Sequence, residues 1–290
     1  GDPSQLRFEQ TGGGNLTVSE AHGYGMVLMA LMAGHDPQAQ TIFDGMFAYF
    51  RDHPSGITPS LMSWYQSGSC ANANGNDTAS DGDLDIAFAL LLADKQWGSC
   101  GAVNYLAEAQ NVIAGIKSGE LDPTKQFVKL GDWVSPGDAP YDDSTRSSDF
   151  MPDHYRSFLA ATSDTTWTNV LEQTYDIVAA LQASHSPATG LLPDFVIDPL
   201  GTPDPAPANF LEGATDRSYA YNACRDPWRL GTDFLISGEM RAKAAVQAIN
   251  AWIRAKTAND PEAITAGWKL DGSDTPGTNY RSMAFVAPFG

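Results

Sequence analysis

The chain has 290 residues, with 35 Asp and Glu against 17 Lys and Arg and a formal charge of −18. The length suits one large domain, and the acidic balance argues against a nucleic-acid or anionic-membrane partner and for a neutral or cationic one. Three cysteines, Cys70, Cys100 and Cys224, are too few for a disulfide framework, and their spacing matches no zinc motif.

Residues 1–17 are polar and Gly-rich and read as an irregular arm. Val18 to Met32 opens on Ser19 as an N-cap and continues as an apolar helix to about Gly34. Gln38 to Arg51 spaces Ile42, Phe43, Met46, Phe47 and Phe50 with helical periodicity and polar positions between, the pattern of an outer helix. Residues 54–78 read as loop around one apolar run, Leu61-Met62-Ser63-Trp64-Tyr65. The stretch from Ser80 to Trp97 is the most informative. Ser80 suits an N-cap, Asp81, Asp83 and Asp85 fall in the first turns where the helix dipole favours anions, and the rest is almost wholly apolar. A helix with no wet face is interior, and the apolar run Ile86 to Ala93 is far short of the roughly 20 residues a membrane span needs. Cys70 and Cys100 lie in the loops flanking this helix and are expected to pair if the protein is secreted.

Ala102 to Lys117 is amphipathic and outer; residues 119–150 form a long polar loop with an acidic run, Asp138 to Asp143. Asp153 to Thr162 and Thr166 to Ser184 make the next helix pair. Residues 186–217 carry six prolines in a loop much longer than compact domains usually hold, and loops of that length are commonly functional. Tyr221 to Arg229 leads a mostly apolar helix to about Ile236, Glu239 to Lys256 is the outer partner, and Asn259 to Tyr280 is turn-rich. About eight long helices therefore alternate between inner and outer in a single all-α toroid over residues 1–290, with two or three short strands at most.

The pattern Ala79-Ser80-Asp81-Gly82-Asp83, followed by Ile86-Ala87, Ala89 and Trp97, resembles glycoside hydrolase family 8, the inverting endoglucanases, chitosanases, lichenases and xylanases. The resemblance implies an (α/α)6 barrel. Members usually have one more helix before the Ser-Glu motif and about two more after the segment matching Phe285-Val286-Ala287-Pro288, so this chain is expected to be incomplete at both ends. Cleavage with inversion needs a protonated carboxyl at the leaving oxygen and a carboxylate roughly 6.5–9.5 Å away to activate water. Glu20 matches the family's general acid; a neighbouring ionised carboxylate and apolar surroundings favour the protonated form. Asp81 matches the aspartate that grips and distorts the sugar. Where cellulase-type members carry an aspartate base, this chain has Asn222, which cannot accept the proton. The chitosanase subgroup shares the asparagine and places a glutamate on a long loop just upstream, which makes Glu212 the expected base, with Asn222 orienting the base or the water and Arg225 steadying the carboxylates. An Asp→Asn change that silences the site is the other reading of Asn222.

Asp149 stands where glucan-specific members usually have tyrosine, and a carboxylate there suits an amino sugar's ammonium group. With the acidic charge, it tilts the expected substrate to chitosan, with β-1,4- or β-1,3-1,4-glucan as the alternative. Trp64, Tyr65, Tyr155, Tyr221 and Trp228 are candidates for stacking on sugar rings. A secreted monomer acting on polysaccharide without metal or cofactor is expected. A terpenoid cyclase shares the α/α architecture and an aspartate cluster, but few basic residues lie near these acids to hold a diphosphate. A non-catalytic polysaccharide-binding barrel follows if Asn222 marks a dead site.

Overall fold

A computed structural model describes residues 5–7 and 15–289, and the chain falls into two compact units. The first comprises Gly1–Pro123, Lys129–Pro136 and Ser157–Thr165. In it a short strand β1 (Asn15–Val18) leads into α1 (Ser19–Leu31), followed by α2 (Ala39–Asp52), β2 (Tyr65–Ser67), α3 (Ser80–Trp97) and α4 (Tyr105–Gly115). β1 pairs antiparallel with β2, so residues 15–17 of the expected irregular arm are strand; residues 1–4 and 8–14 of that arm lie outside the described residues. α2 buries one stripe, Phe43, Met46, Tyr49 and Phe50, as its periodicity requires. α3 is buried nearly all round, from Ser80 through Ala93, and is an interior helix as its composition predicts.

The second unit comprises Thr124–Val128, Gly137–Arg156 and Thr166–Gly290, and the boundary between units falls inside α5 (Pro152–Thr162). β3 (Ser144–Arg146) lies in the expected polar loop. It pairs antiparallel with β4 (Phe195–Ile197), which pairs with β5 (Asp204–Pro205), both from the Pro-rich loop. α6 (Thr166–Ser184), α7 (Asp226–Ser237), α8 (Met240–Lys256) and a short α9 (Met283–Val286) complete the unit. A core of Leu191, Tyr219, Ala223, Cys224, Ile249, Ile253, Trp268 and Phe285 holds the 219–224 segment from below, and Tyr219 and Trp268 exchange backbone hydrogen bonds of 2.9 and 3.0 Å.

Two expected helix caps are absent. Ser19 and Ser80 are the first helical residues, the N-caps are Val18 and Ala79, and neither end has a side-chain cap bond. Both serines serve packing instead. Ser80 donates its hydroxyl to the Lys129 carbonyl at 2.8 Å, and Ser19, 1% exposed, is packed against Gly82 of α3.

Candidate active site

In the first unit the sites of Glu20 and Asp81 are set by two glycines. A Cβ on Gly82 would lie 2.6 Å from both the carbonyl carbon and the Cβ of Ser19, and one on Gly23 would lie 2.8 Å from Asp85 Cβ and 2.9 Å from the Gly82 carbonyl oxygen. The first turns of α1 and α3 therefore touch backbone to backbone, and Glu20 and Asp81 flank that contact. Glu20 is partly exposed, and its Oε1 accepts a 3.1 Å hydrogen bond from the Tyr24 hydroxyl one turn on. Asp81 is 4% exposed and its Oδ1 accepts the Gly82 N–H at 2.9 Å.

Beneath this contact lies a buried polar layer that sequence reasoning missed. Asp132 accepts the Thr78 N–H (2.9 Å) at one oxygen and the Ser55 hydroxyl (2.6 Å) and Thr58 N–H (3.1 Å) at the other. Thr78 donates its hydroxyl to Glu120 at 2.6 Å, and Asp83 accepts the Met62 N–H at 2.8 Å. Burial, reinforced by the charge of Glu120, holds the Asp83 carboxyl well above the ordinary carboxylate range. All three aspartates at the start of α3 are buried, and Asp83 is the one that ties α3 to the loop before it through Met62.

In the second unit Glu212 is the centre of a network built from four segments. Its side chain is 48% exposed, yet both oxygens are held: Oε2 by the Asn222 amide at 2.8 Å and Oε1 by Arg146 at 3.1 Å. Arg146 comes from β3, and its guanidinium also lies 5.3 Å from the centre of the Phe195 ring on the neighbouring strand. Asn222 is oriented from behind. Arg225 donates to its side-chain oxygen at 2.6 Å and to its backbone carbonyl at 3.2 Å. A guanidinium offers only donors, so the amide oxygen must face Arg225 and the NH2 must face Glu212. The asparagine is therefore the right group for its place: an aspartate would set one carboxylate against another.

The Glu212 loop is knotted by its own atoms. Asp216, 1% exposed, accepts the N–H groups of Leu211 (2.8 Å), Glu212 (3.0 Å) and Gly213 (2.8 Å), while Asn209, in the left-handed region at φ 58°, donates its N–H to the Gly213 carbonyl at 2.8 Å. Phe210 anchors the loop against Phe195 and Tyr141, with ring centres 5.7 and 5.3 Å away.

A second carboxylate, Asp194, holds the Asn222 turn: its Oδ1 accepts the N–H groups of Ala220 (3.0 Å), Asn222 (3.2 Å) and Ala223 (2.8 Å). Burial is the largest influence on it and, despite those three donors, pushes its pKa up to about 7. Asp194, Asp216 and Arg146 were not among the expected site residues. A signal existed for one: an Asp inside the apolar run Leu191 to Ile197 must be buried, and a buried carboxyl must be partnered.

Other expectations are corrected. Asp149 is fully buried, accepts the Ser148 hydroxyl at 3.0 Å and is not offered to solvent. Tyr155 is also fully buried, stacked 6.1 Å from Trp167 and donating its hydroxyl to the Asp149 carbonyl; it is core, not a sugar platform. Cys70, Cys100 and Cys224 are free thiols, so the expected Cys70–Cys100 pairing is not made. Of the remaining aromatics, Tyr221 is 49% and Trp228 39% exposed, while Trp64 and Tyr65 are partly exposed side by side at 5.2 Å. Among the described residues no group of three His, Cys, Asp or Glu is placed to hold a metal ion, and no helix is long and apolar enough to cross a membrane.

The family model described as glycosyl hydrolases family 8 matches residues 6–288. A beta-glucanase of Niallia circulans is 48% identical over 94% of this chain and 66% of its own length, and an endoglucanase of Bacillus sp. (strain KSM-330) is 44% identical over 94% and 58%. The chain thus spans less than two thirds of the length of these curated relatives. The apo structure of a beta-1,3-1,4-glucanase from Paenibacillus sp. X4 superposes with a TM-score of 0.95 at 46% identity, covering 99% of this chain and 75% of that one.

Proposed function

This chain belongs to glycosyl hydrolase family 8, with the all-α (α/α)6 type of fold, and on that premise we propose that it is an inverting, endo-acting hydrolase of β-1,4- or mixed β-1,3-1,4-glucan. Glu20 is the general acid, Glu212 the general base, Asp81 grips the sugar at the cleavage point, and residues 1–290 act as one catalytic domain. The observation that carries the reading is the setting of Glu212: a half-exposed carboxylate with each oxygen fixed, one by an amide that cannot compete for the proton. That arrangement suits a carboxylate that must receive a proton from water while staying aligned. It also disfavours the dead-site reading, because Asn222 completes the base instead of replacing it.

We choose glucan over chitosan for two reasons. The side chain that suggested an amino sugar, Asp149, is buried, and the relatives are named for glucans. The chemistry needs carboxyls alone, so no metal or organic cofactor enters, and a substrate of polymer size is met outside the cell, where we place the protein, acting as a monomer. The test is release of reducing ends from mixed-linkage β-glucan, carboxymethyl cellulose and soluble chitosan, with the anomeric form of the first product read by NMR. Glucan cleavage with inversion, lost by about 10²–10⁴-fold in Glu20→Gln and in Glu212→Ala, is the expected result. Preferential cleavage of chitosan overturns the substrate, and a retained anomer overturns the mechanism.

A further inference from the structure

We infer that Asp194 is a positioning residue for hydrolysis, acting on Glu212 through Asn222; the inference rests on Glu212 being the base. Asp194 precedes β4 and is 3% exposed. Its own backbone is sewn in on both sides, its N–H donating to the Ser218 carbonyl at 2.9 Å and its carbonyl accepting the Ser147 N–H at 3.1 Å, with the next residue, Phe195, bonded to the Asp216 carbonyl at 3.0 Å. From that fixed point one side-chain oxygen collects the N–H groups of Ala220, Asn222 and Ala223.

The consequence is geometric. Residues 220–223 lie between a bridge, Tyr219 with Trp268, and the start of α7, and Asp194 is the acceptor that closes this stretch into a turn. Asn222 has its backbone N–H on Asp194, its side-chain oxygen on Arg225 and its NH2 on Glu212. The amide is therefore located at three points, and only one of them touches the carboxylate that meets water. If Asp194 is removed, three buried N–H groups lose their acceptor, the turn relaxes, and the Asn222 NH2 no longer holds Glu212 Oε2. Displacements of about 1 Å at a reacting group can cost about 10²-fold in rate while leaving remote binding contacts in place. The expected signature is a fall in kcat with little change in KM.

A purely structural role for Asp194 would weaken the enzyme whether or not Asn222 is present, so the decisive experiment is a double-mutant cycle. With mixed-linkage β-glucan as substrate, Asp194→Ala and Asp194→Asn are each measured alone and with Asn222→Ala. Asp194→Ala should lower kcat about 10–100-fold with KM within about twofold, and Asp194→Asn, which keeps an oxygen acceptor, should recover part of that loss. In the Asn222→Ala background either substitution should cost less than about twofold more. Additive losses, or a loss confined to KM, overturn the inference. If Asp194→Ala does not fold, the same cycle is read with Asp194→Asn alone, and full wild-type activity in that variant also overturns it. A crystal structure of the Asp194 variant separates this inference from the one beneath it. Retention of the 2.8 Å Asn222–Glu212 bond refutes positioning by Asp194, whereas near-wild-type activity of Glu212→Ala with that bond broken refutes the base and leaves the positional coupling standing.

Discussion

Gly82→Ala separates the effect of local propensity from that of packing, and the two predict opposite signs. Alanine is favoured over glycine in a helix by up to about 1 kcal/mol, so a propensity argument expects a more stable protein. The structure says otherwise. The new methyl would lie 2.6 Å from two Ser19 atoms, where ordinary contact begins at 3.4 Å, so α1 and α3 must separate by close to 0.8 Å. One of those atoms is backbone, and the contacts of Gly23 with Asp85 and the Gly82 carbonyl close the route by which the helices could slide. Overpacking of this kind costs about 1–3 kcal/mol. After the propensity gain, a net loss of about 1 kcal/mol remains, which urea unfolding resolves. The activity should suffer more than the stability. Glu20 adjoins Ser19 and moves with it, and a shift approaching 1 Å at the proposed proton donor is worth up to about 10²-fold in kcat. Gly231→Ala in α7 is the control: nothing lies within 4 Å of its new Cβ, so it should gain stability and keep its rate. A Gly82→Ala protein that is both stabilised and fully active would falsify the account of how the acid is placed.

The other predictions follow from single residues. The Asp194 carboxyl, held at about 7 in the fold against 3.8 outside it, stays protonated in the native state over a range where the unfolded chain has lost its proton. Its stabilisation is therefore full below about pH 3.8 and lost as pH rises through about 7, roughly 4 kcal/mol in all for a window of about three pH units. Unfolding of wild type and Asp194→Asn at pH 4 and pH 8 should show the smaller pH dependence in the variant, and equal slopes would count against it. Tyr155→Phe removes only a buried hydroxyl bond, so about 1 kcal/mol of stability should go while KM is unchanged; a raised KM would return Tyr155 to the substrate. Asn222→Asp places two carboxyls in hydrogen-bond contact, an arrangement that forces them to share a proton, so kcat at neutral pH should fall at least about tenfold. Wild-type rates in that variant would show that Asn222 does not serve the base.

The long helices were readable because each carries a strong apolar period or, in α3, none at all, and α2, α5, α6 and α8 begin and end within a residue or so of expectation. The strands were not, since three residues such as Ser144–Arg146 are too short to show alternation. Glu212 and Asn222 were singled out through the resemblance to the chitosanase subgroup, which shares the asparagine and an upstream loop glutamate, and Arg225 because it lies one turn beyond Asn222. Their supports were missed because they are distant in sequence: Arg146 reaches Glu212 from 66 positions away, and Asp194 meets Ala223 across 29. Asp149 and Tyr155 failed for a different reason. A polar or amphipathic side chain in a one-dimensional pattern does not declare which way it faces, and both face inward. Ser19 and Ser80 have the composition of caps, but Ser19 is buried against Gly82 and Ser80 gives its hydroxyl to the Lys129 carbonyl.

The knot around Asp216 has a bearing on how such an enzyme can change. Asn209, Asp216 and the N–H groups of 211–213 close on one another, and residues 204–206 of the approach are fixed by pairing with β4, so the shape of the segment that presents Glu212 is insulated from the surface turn at 200–202. That turn can be lengthened, shortened or rewritten, as surface loops tolerate, while the Glu212 carboxylate keeps its aim. The segment behaves as a cassette: variation in that turn is free to accumulate without altering how Glu212 is held. Grafts of residues 200–202 between relatives, with 204–216 left whole, should accordingly leave turnover undiminished.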